Sequence, residues 1–271
     1  MPRDFRIIFG GGFILLLLFA AVFAHWLAPF DPLEQDLLIA TARPMQEPGH
    51  YLGTDSLGRD VLSRLIHACR IALTVAFVAS ILAGLIGTAL GLLAGYFGGW
   101  WDSIISRLID IWMAFPPVLL SILLVAVLGT GLHSVIVAIV VIDWTRFARV
   151  VRAEAQQQAK LEYAEAATAL GMGRAAILFR EILPNILPVV LVLLSLEMGI
   201  AVIVEAILSF VGLSVSTDTP TWGGMIAEGR QIIYQAWWVL VFPLVTLFLT
   251  VLAFNQLGDG LRQQLDPMLK R

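Results

Sequence analysis

The most distinctive spacing of residues lies in one polar segment, Leu161 to Pro184. It holds the run Glu165-Ala166-Ala167, a glycine at position 171 and a Leu-Pro pair at its end. Acidic side chains suit the positive end of a helix, and glycine permits a sharp turn after it. The pattern predicts a helix, a break at Gly171 and Gly173, and a second helical run that stops at Pro184. We interpret this segment as a docking surface rather than a catalytic site. The residues predicted to form the docking surface are Glu162, Glu165, Ala166, Ala167, Leu170, Gly171, Leu183 and Pro184.

Three of these residues, Ala166, Ala167 and Leu170, predict a low apolar ridge that enters a groove on a partner. The alternative is an ordinary amphipathic helix at the protein surface. Residues for other chemistry are sparse. The four histidines are scattered without an H-x-x-x-H spacing, so no metal site is predicted. Cys69 is the only cysteine, and we interpret it as a small packing residue rather than a nucleophile.

The composition is that of a membrane protein. Of 271 residues, 59% are hydrophobic and 14% are charged, with a mean hydropathy of +0.88. Soluble domains carry about 25% charged residues. The net charge of −3 does not suggest a nucleic-acid partner. We therefore predict an all-α, polytopic bundle of membrane helices in contact with lipid.

Six uncharged or nearly uncharged stretches predict six transmembrane helices, with the docking segment between helices 4 and 5. For the first stretch, the alternative is a signal peptide, whose apolar core is about 7 to 15 residues and therefore shorter. We divide the chain into residues 1–70, with the first helix and an outer loop, and a transmembrane domain at 71–271. The predicted spans are Ile7–Phe30, one within Ile71–Trp101, 105–128, 132–151, Ile186–Phe210 and one within Gln231–Leu257.

Local signals refine these spans. Asp60 begins a predicted amphipathic helix that leads into the second span. Small residues at three- or four-residue spacing in that span, from Ala83 to Gly95, indicate a close helix–helix face. Pro116 and Pro117 are expected to bend or break the third span near its beginning.

The positions of Lys and Arg predict the orientation. With the N-terminus inside, twelve of the 17 basic residues fall in cytoplasmic segments and five in outer segments. Basic residues accumulate on the cytoplasmic side. Both termini and Leu161–Pro184 are therefore predicted to be cytoplasmic.

The spacing in Leu161–Pro184 resembles the EAA loop of permease subunits of ABC importers, whose pattern is E-A-A, x3, G, x9, I, x, L-P. One departure is Glu181, which stands at the position of the isoleucine. The resemblance implies that this segment couples the permease to an ATPase.

Four further segments are similar to the C-type permease subunits of dipeptide, oligopeptide and nickel importers. Residues 214–219 depart from the glycine- and proline-rich sequence usual in that branch. The similar segments are His50–Asp60 with Ser63-Arg64, Leu208–Leu213 with Trp222-Gly223, Gly258–Arg262, and Leu265–Pro267.

The resemblance implies a set of partners in the inner membrane. These are a second permease subunit that completes a heterodimeric pore, two cytoplasmic ATPases that bind ATP and Mg, and an extracytoplasmic substrate-binding protein. This chain is expected to bind no cofactor itself. The sequence supports this independently. A nucleotide-binding P-loop needs Gly-Lys before Ser or Thr, but the only two lysines are Lys160, which follows Ala159, and Lys270, which follows Leu269. This sequence therefore contains no P-loop, and ATP hydrolysis is expected on another subunit.

Charged residues inside spans are functional candidates. Glu197 and Glu205, eight residues apart, are expected to face the translocation path, or else to pair with the partner permease or cap a helix. Asp143 and Arg146 predict a local ion pair. The predicted substrate is a di- or oligopeptide, with nickel or a nickel chelate as the alternative. Alternatives of another class are an ion-coupled transporter or channel and an intramembrane enzyme.

Overall fold

The computed structural model describes residues 3–215 and 218–265, and the regular structure in both ranges is helical. Apart from an isolated bridge between Thr54 and Asp60, these ranges contain no strand. The helices are α1 (Arg3–Val22), α2 (Ala24–Leu27), α3 (Val61–Leu92), α4 (Gly99–Met113), α5 (Pro117–Leu128), α6 (Leu132–Gln158), α7 (Glu162–Ala169), α8 (Arg174–Ile177), α9 (Leu183–Phe210), α10 (Trp222–Gln231) and α11 (Trp237–Leu265). A 3-10 turn spans Leu37–Ile39, and π turns span Leu93–Phe97 and Leu178–Ile182. The all-α prediction is confirmed. Asp266 and Pro267 of the predicted C-terminal motif, and the basic Lys270 and Arg271, lie outside the described residues.

Several of these helices are built to cross a membrane. Within the described part of the chain, four stretches are long and apolar enough, and α4 with α5 adds a fifth if counted as one bent span. The predicted fourth span lies in α6, whose 27 residues suffice in length but include Asp143, Arg146 and Arg149 among the first eighteen. A multi-pass helical membrane protein is therefore confirmed, and the predicted number of six spans depends on α6. The four stretches are Phe5–Val22, Val61–Phe97, Arg174–Phe210 and Trp237–Gln264.

Helix α3 begins ten residues before the predicted second span. The carboxylate of Asp60 accepts the backbone N–H of Ser63 at 2.7 Å and caps the helix. The predicted amphipathic helix and the second span are therefore one continuous element. The span ends at Phe97, inside the predicted range Ile71–Trp101, because Gly98, with a φ of 63°, turns the chain into α4. Position 70, the predicted limit between two regions, lies inside α3, and that division stays a prediction.

The predicted third span over 105–128 consists of two helices. This stretch belongs to α4, which begins at Gly99, and α5, which begins at Pro117, and the two helices meet at 88°. The predicted break at the prolines is confirmed. Pro116 is extended, with φ −60° and ψ 121°, because the residue before a proline avoids the helical conformation.

The segment between the predicted fifth and sixth spans contains an additional helix, α10. The sixth span, α11, begins at Trp237, inside the predicted range Gln231–Leu257, and continues beyond it to Leu265. The glycines that suggested a loop instead let α10 lie close to its neighbours. A Cβ on Gly223 would be 2.1 Å from the carbonyl oxygen of Ala206 on α9. A Cβ on Gly229 would likewise be 2.5 Å from a backbone nitrogen of α11.

The small residues of α3 form the predicted close face, and their partner is α6. A Cβ added to Gly87 would be 2.3 Å from a carbonyl oxygen of α6, and the same distance is 2.8 Å at Gly91 and 2.5 Å at Gly95. The spacing of four residues places these glycines on one side of the helix. Backbone therefore lies against backbone over three turns.

We expect Gly87→Ala to destabilise the protein, because its methyl group has no space against α6. Overpacking of this kind costs about 1–3 kcal/mol. The measurement is the midpoint of thermal aggregation in detergent. Gly11→Ala is the matched control, since Gly11 is helical and has no atom within 4 Å of the added Cβ. Equal midpoints for the two variants would contradict the close packing.

Candidate coupling surface and buried charge clusters

The predicted docking segment contains a helix of eight residues, α7, between two long helices. Leu161 is extended and precedes the first turn, which carries Glu162 and Glu165. Both glutamates are exposed, so their charges face the solvent at the positive end of the helix.

Helix α7 ends in a Schellman motif centred on Gly171. The N–H of Met172 donates to the carbonyl of Ala167 at 3.1 Å, and the N–H of Gly171 donates to the carbonyl of Thr168 at 3.0 Å. Gly171 has a φ of 80°, a conformation that costs glycine little. The predicted turn at this glycine is therefore present and has a defined hydrogen-bond pattern.

The faces of α7 differ from the prediction at one position. Ala166 is exposed and Leu170 is 84% exposed, as expected for a ridge that awaits a partner. Ala167, which was assigned to the same ridge, is instead buried and faces the rest of the protein. Of the predicted docking residues in α7 and at its end, Glu162, Glu165, Ala166, Leu170 and Gly171 are exposed. Ala167 anchors the helix from behind, because a residue one position along a helix points about 100° away.

A hydrophobic cluster beneath α7, which we term the basal cluster, joins it to α3, α6 and α9. Its members are buried side chains from each of these helices and from the π turn before α9. They are Leu92, Val151, Ala155, Ala167, Ile177, Leu178, Ile182 and Ile186. The docking helix is thus fixed to the helices on both of its sides.

The second helical run does not stop at Pro184, and that prediction is wrong. The chain continues as one helical stretch from Arg174 to Phe210. Pro184 is tolerated because it lies in the first turn of α9, directly after the π turn. There the N–H of Leu183 donates to the carbonyl of Leu178. Leu183 and Pro184 therefore belong to the base of the fifth predicted span.

Glu197 is buried and paired within the chain. Its Oε1 lies 3.3 Å from a guanidinium nitrogen of Arg146 on α6, and its Oε2 lies 3.5 Å from the same nitrogen. Asp143 lies 3.8 Å from Arg146, so the predicted local pair is present. Two carboxylates therefore share one guanidinium between α6 and α9. We term Asp143, Arg146 and Glu197 the charge triad.

Glu205 is also buried but belongs to another cluster. The hydroxyl groups of Ser209 and Ser214 donate to its Oε1 at 2.5 and 3.2 Å. The two glutamates of α9 therefore have separate partners. Each has a partner inside this chain, which the sequence did not indicate.

Sequence reasoning missed an ion network on the predicted outer side. Arg59 donates to Asp55 at 2.7 Å and to both oxygens of Glu228 at 2.9 Å. Arg64 donates to Asp55 and, at 2.9 Å, to Glu228. Asp55, Arg59 and Arg64 belong to the recognised motif, but Glu228 lies on α10. Only the complementary charge of Glu228 could have suggested it as a partner.

The network ties the outer loop to α10. Within the outer loop, His50 bonds Asp60, the cap of α3, at 2.9 Å and stacks on Phe30 at 4.2 Å between ring centres. Burial raises the pKa of Glu228, but the charges and hydrogen bonds of Arg64 and Arg59 outweigh this effect and lower the pKa. Glu228 is therefore ionised at neutral pH.

The described residues thus form a bundle of long apolar helices with the short helix α7 between two of them. Residues 87–271 match the family described as binding-protein-dependent transport system inner membrane component. Residues 7–48 match the N-terminal TM domain of oligopeptide transport permease C. The chain belongs to this family of ABC importer permeases, in its peptide branch.

Individual relatives agree with this assignment. The glutathione transport system permease protein GsiD of Pectobacterium atrosepticum is 43% identical over 260 residues, covering 96% of this chain and 86% of the relative. The di/tripeptide transport system permease protein DppC of Pseudomonas aeruginosa is 40% identical over 262 residues, covering 95% and 86%. A chain of the inward-facing MetNI methionine ABC transporter has a TM-score of 0.61 at 21% identity, covering 75% of this chain and 96% of that chain. This structural likeness shows the fold alone.

Membership in the family makes the chain a permease subunit of an ABC importer and not itself an enzyme. The alternatives of an intramembrane enzyme, an ion-coupled transporter or a channel are therefore set aside.

We expect Gly171→Ala to destabilise the docking segment by about 1 kcal/mol, because alanine is strained at a φ of 80°. The measurement is hydrogen exchange of the amides of α7 in the purified protein. Gly173→Ala is the control, since Gly173 has a φ of −67° and no atom within 4 Å of an added Cβ. Equal exchange in both variants would show that the positive φ does not hold the turn.

We expect Glu228→Gln to lower the midpoint of thermal unfolding at pH 7. We also expect the midpoint of this variant to fall less than that of wild type as the pH is lowered. A carboxyl group with a lowered folded-state pKa stabilises the protein fully above its unfolded pKa, about 4.3. This stability is lost as the pH falls from there through the folded pKa. The measurement is the midpoint from pH 7 to 3, with Glu34→Gln as an exposed control in the outer loop. Parallel curves for wild type and Glu228→Gln would contradict the assignment.

Proposed function

We propose that this chain forms half of the translocation path of an importer for di- or oligopeptides, and that α7 couples the path to separate ATPases. The observation that carries the coupling role is the exposed ridge of Ala166 and Leu170, flanked by Glu162 and Glu165 and fixed from behind by the basal cluster. An apolar side chain as exposed as Leu170 gains free energy when a partner covers it.

The proposed assembly has four kinds of component. A second permease subunit completes a heterodimer, two ATPases bind ATP and Mg beneath it, and a binding protein delivers substrate from outside. The absence of a Gly-Lys-Ser/Thr sequence supports ATP hydrolysis on other subunits. The distribution of Lys and Arg supports a topology with both termini in the cytoplasm.

The relatives support a peptide substrate. Two of them are named for glutathione and for di- and tripeptides, and the N-terminal match is to an oligopeptide permease. Nickel or a nickel chelate is the second candidate, because the recognised branch includes nickel importers. Uptake of a labelled tripeptide and of labelled nickel by the reconstituted complex separates the two.

Glu197 and Glu205 stay proposals as residues of the translocation path. A cavity of about 640 Å³ lies between α6, α9 and α11 and is lined in part by Glu154, Pro188 and Arg262, but neither glutamate lines it. The intrachain partners of both glutamates favour a structural role instead.

We expect a pull-down of this chain in mild detergent to recover ATPases and a second permease subunit. Glu165→Arg reverses a charge on the exposed surface of α7, and Gly171→Asp breaks its end, so both are expected to lose the ATPases while keeping the second permease. Glu34→Arg makes the same charge change in the outer loop and Gly173→Ala alters the neighbouring glycine, and both are expected to keep the ATPases. Recovery of ATPases with Glu165→Arg and Gly171→Asp would show that α7 is not the dock.

A further inference from the structure

The two helices on either side of α7 are joined at three levels, and the level farthest from α7 is a hydrophobic cluster that contains Val135 and Ile139 of α6 and Ala201 and Leu208 of α9. The first level is the basal cluster, where Val151 and Ala155 of α6 meet Ile182 and Ile186 at the base of α9. The second level is the charge triad, where Arg146 of α6 meets Glu197 of α9 at 3.3 Å. From Leu183 to Glu197 is about 21 Å along α9, at 1.5 Å per residue. The triad is therefore far from α7 along α9, and its Arg146 side chain is 34% exposed.

At the first level and just above it, the helical stretch is weaker than a regular helix. The π turn at Leu178–Ile182 replaces the usual hydrogen bonds, and Pro188 inside the helix has no N–H to donate. Helices kink at such positions. A displacement of α7 would therefore bend α9 at its base unless another contact carried the motion further along.

Helix α6 has no such weak segment between Arg146 and the docking segment. It runs without a break to Gln158, and its backbone lies against the glycines of α3. It is thus the stiffer of the two helices that carry α7. Separating this ion pair is costly on the side of Glu197, because that carboxylate is buried and would be left without its partner.

We propose that the charge triad is a coupling strut: Arg146 transmits the displacement of α6 to Glu197 and thereby moves the upper half of α9 past its weak base. The strut rests on the proposed function, since it needs α7 to receive the motion of an ATPase. Arg146 and Glu197 are positioning residues in this role, and neither needs to touch the substrate. Asp143 holds the guanidinium of Arg146 from its own helix.

The test is the number of substrate molecules transported per ATP hydrolysed by the reconstituted complex with its binding protein. For Glu197→Gln we expect this ratio to fall about threefold or more, with the KM for substrate changed less than about twofold. The double variant Arg146→Glu with Glu197→Arg keeps two carboxylates and one guanidinium, so it should restore most of the ratio. Asp110→Asn is the control. Asp110 lies on α4 and pairs at 3.2 Å with Arg149, which is on α6 like Arg146, so the variant removes an ion pair of α6 that does not involve α9. It should leave the ratio unchanged.

Other outcomes overturn the strut. If Glu197→Gln raises the KM for substrate but leaves the ratio of transport to ATP hydrolysis unchanged, Glu197 contacts the substrate instead. If neither the KM nor the ratio changes, Glu197 has no role in transport or coupling. A double variant no better than Glu197→Gln would show that the ion pair does not transmit motion. If Glu197→Gln does not assemble, Arg146→Gln removes the other charge of the pair, and a normal ratio with it would likewise overturn the proposal. Failure of wild type to couple uptake to ATP would instead overturn the proposed function, and the strut with it.

Discussion

The close approach of α3 and α6 is the constraint on which the rest of the bundle depends. Lipid gives helices little hydrophobic reason to associate, so packing and polar contacts must hold them. Gly87, Gly91 and Gly95 remove the side chains that would separate the two backbones. Helix α6 is thereby fixed along three turns, and every contact that it makes elsewhere starts from a defined position.

Those other contacts explain how a helix with so many charges can lie inside the bundle. Arg146 pairs with Glu197 on α9, Arg149 with Asp110 on α4, and Arg152 with Asp102 on α4. Each arginine thus meets an acid on a neighbouring helix, which lowers the cost of placing it among apolar residues. The charges that exclude α6 from a simple hydropathy criterion are also the groups that bind it to its neighbours.

Sequence patterns predicted what depends on neighbours along the chain. The cap at Asp60, the break at Pro116 and the turn at Gly171 follow from local backbone preferences, and the glycine spacing of α3 identified a packing face. They could not predict which residues meet across the bundle. Ala167 was placed on the exposed ridge because the sequence does not say which side of a short helix is covered.

The same limit applies to charges and to helix ends. Glu228 lies 164 positions from Arg64, and only the fold brings them within 2.9 Å. Helix α10 was missed because glycine usually marks a loop, whereas here it permits close packing. Pro184 was read as a stop because the π turn that accommodates it leaves no clear mark in the sequence.

That π turn has a consequence for the direction in which α9 presents its side chains. A π turn is equivalent to one residue inserted into an α-helix. Each residue of a helix advances the side-chain direction by about 100°. Every position beyond Ile182 is therefore rotated by about that angle relative to an uninterrupted helix that started at Arg174. The inserted residue sets the azimuth of the whole upper helix, so that Glu197 points to α6. Chain length at the base of α9, as much as side-chain chemistry, determines which face this helix turns toward its neighbours.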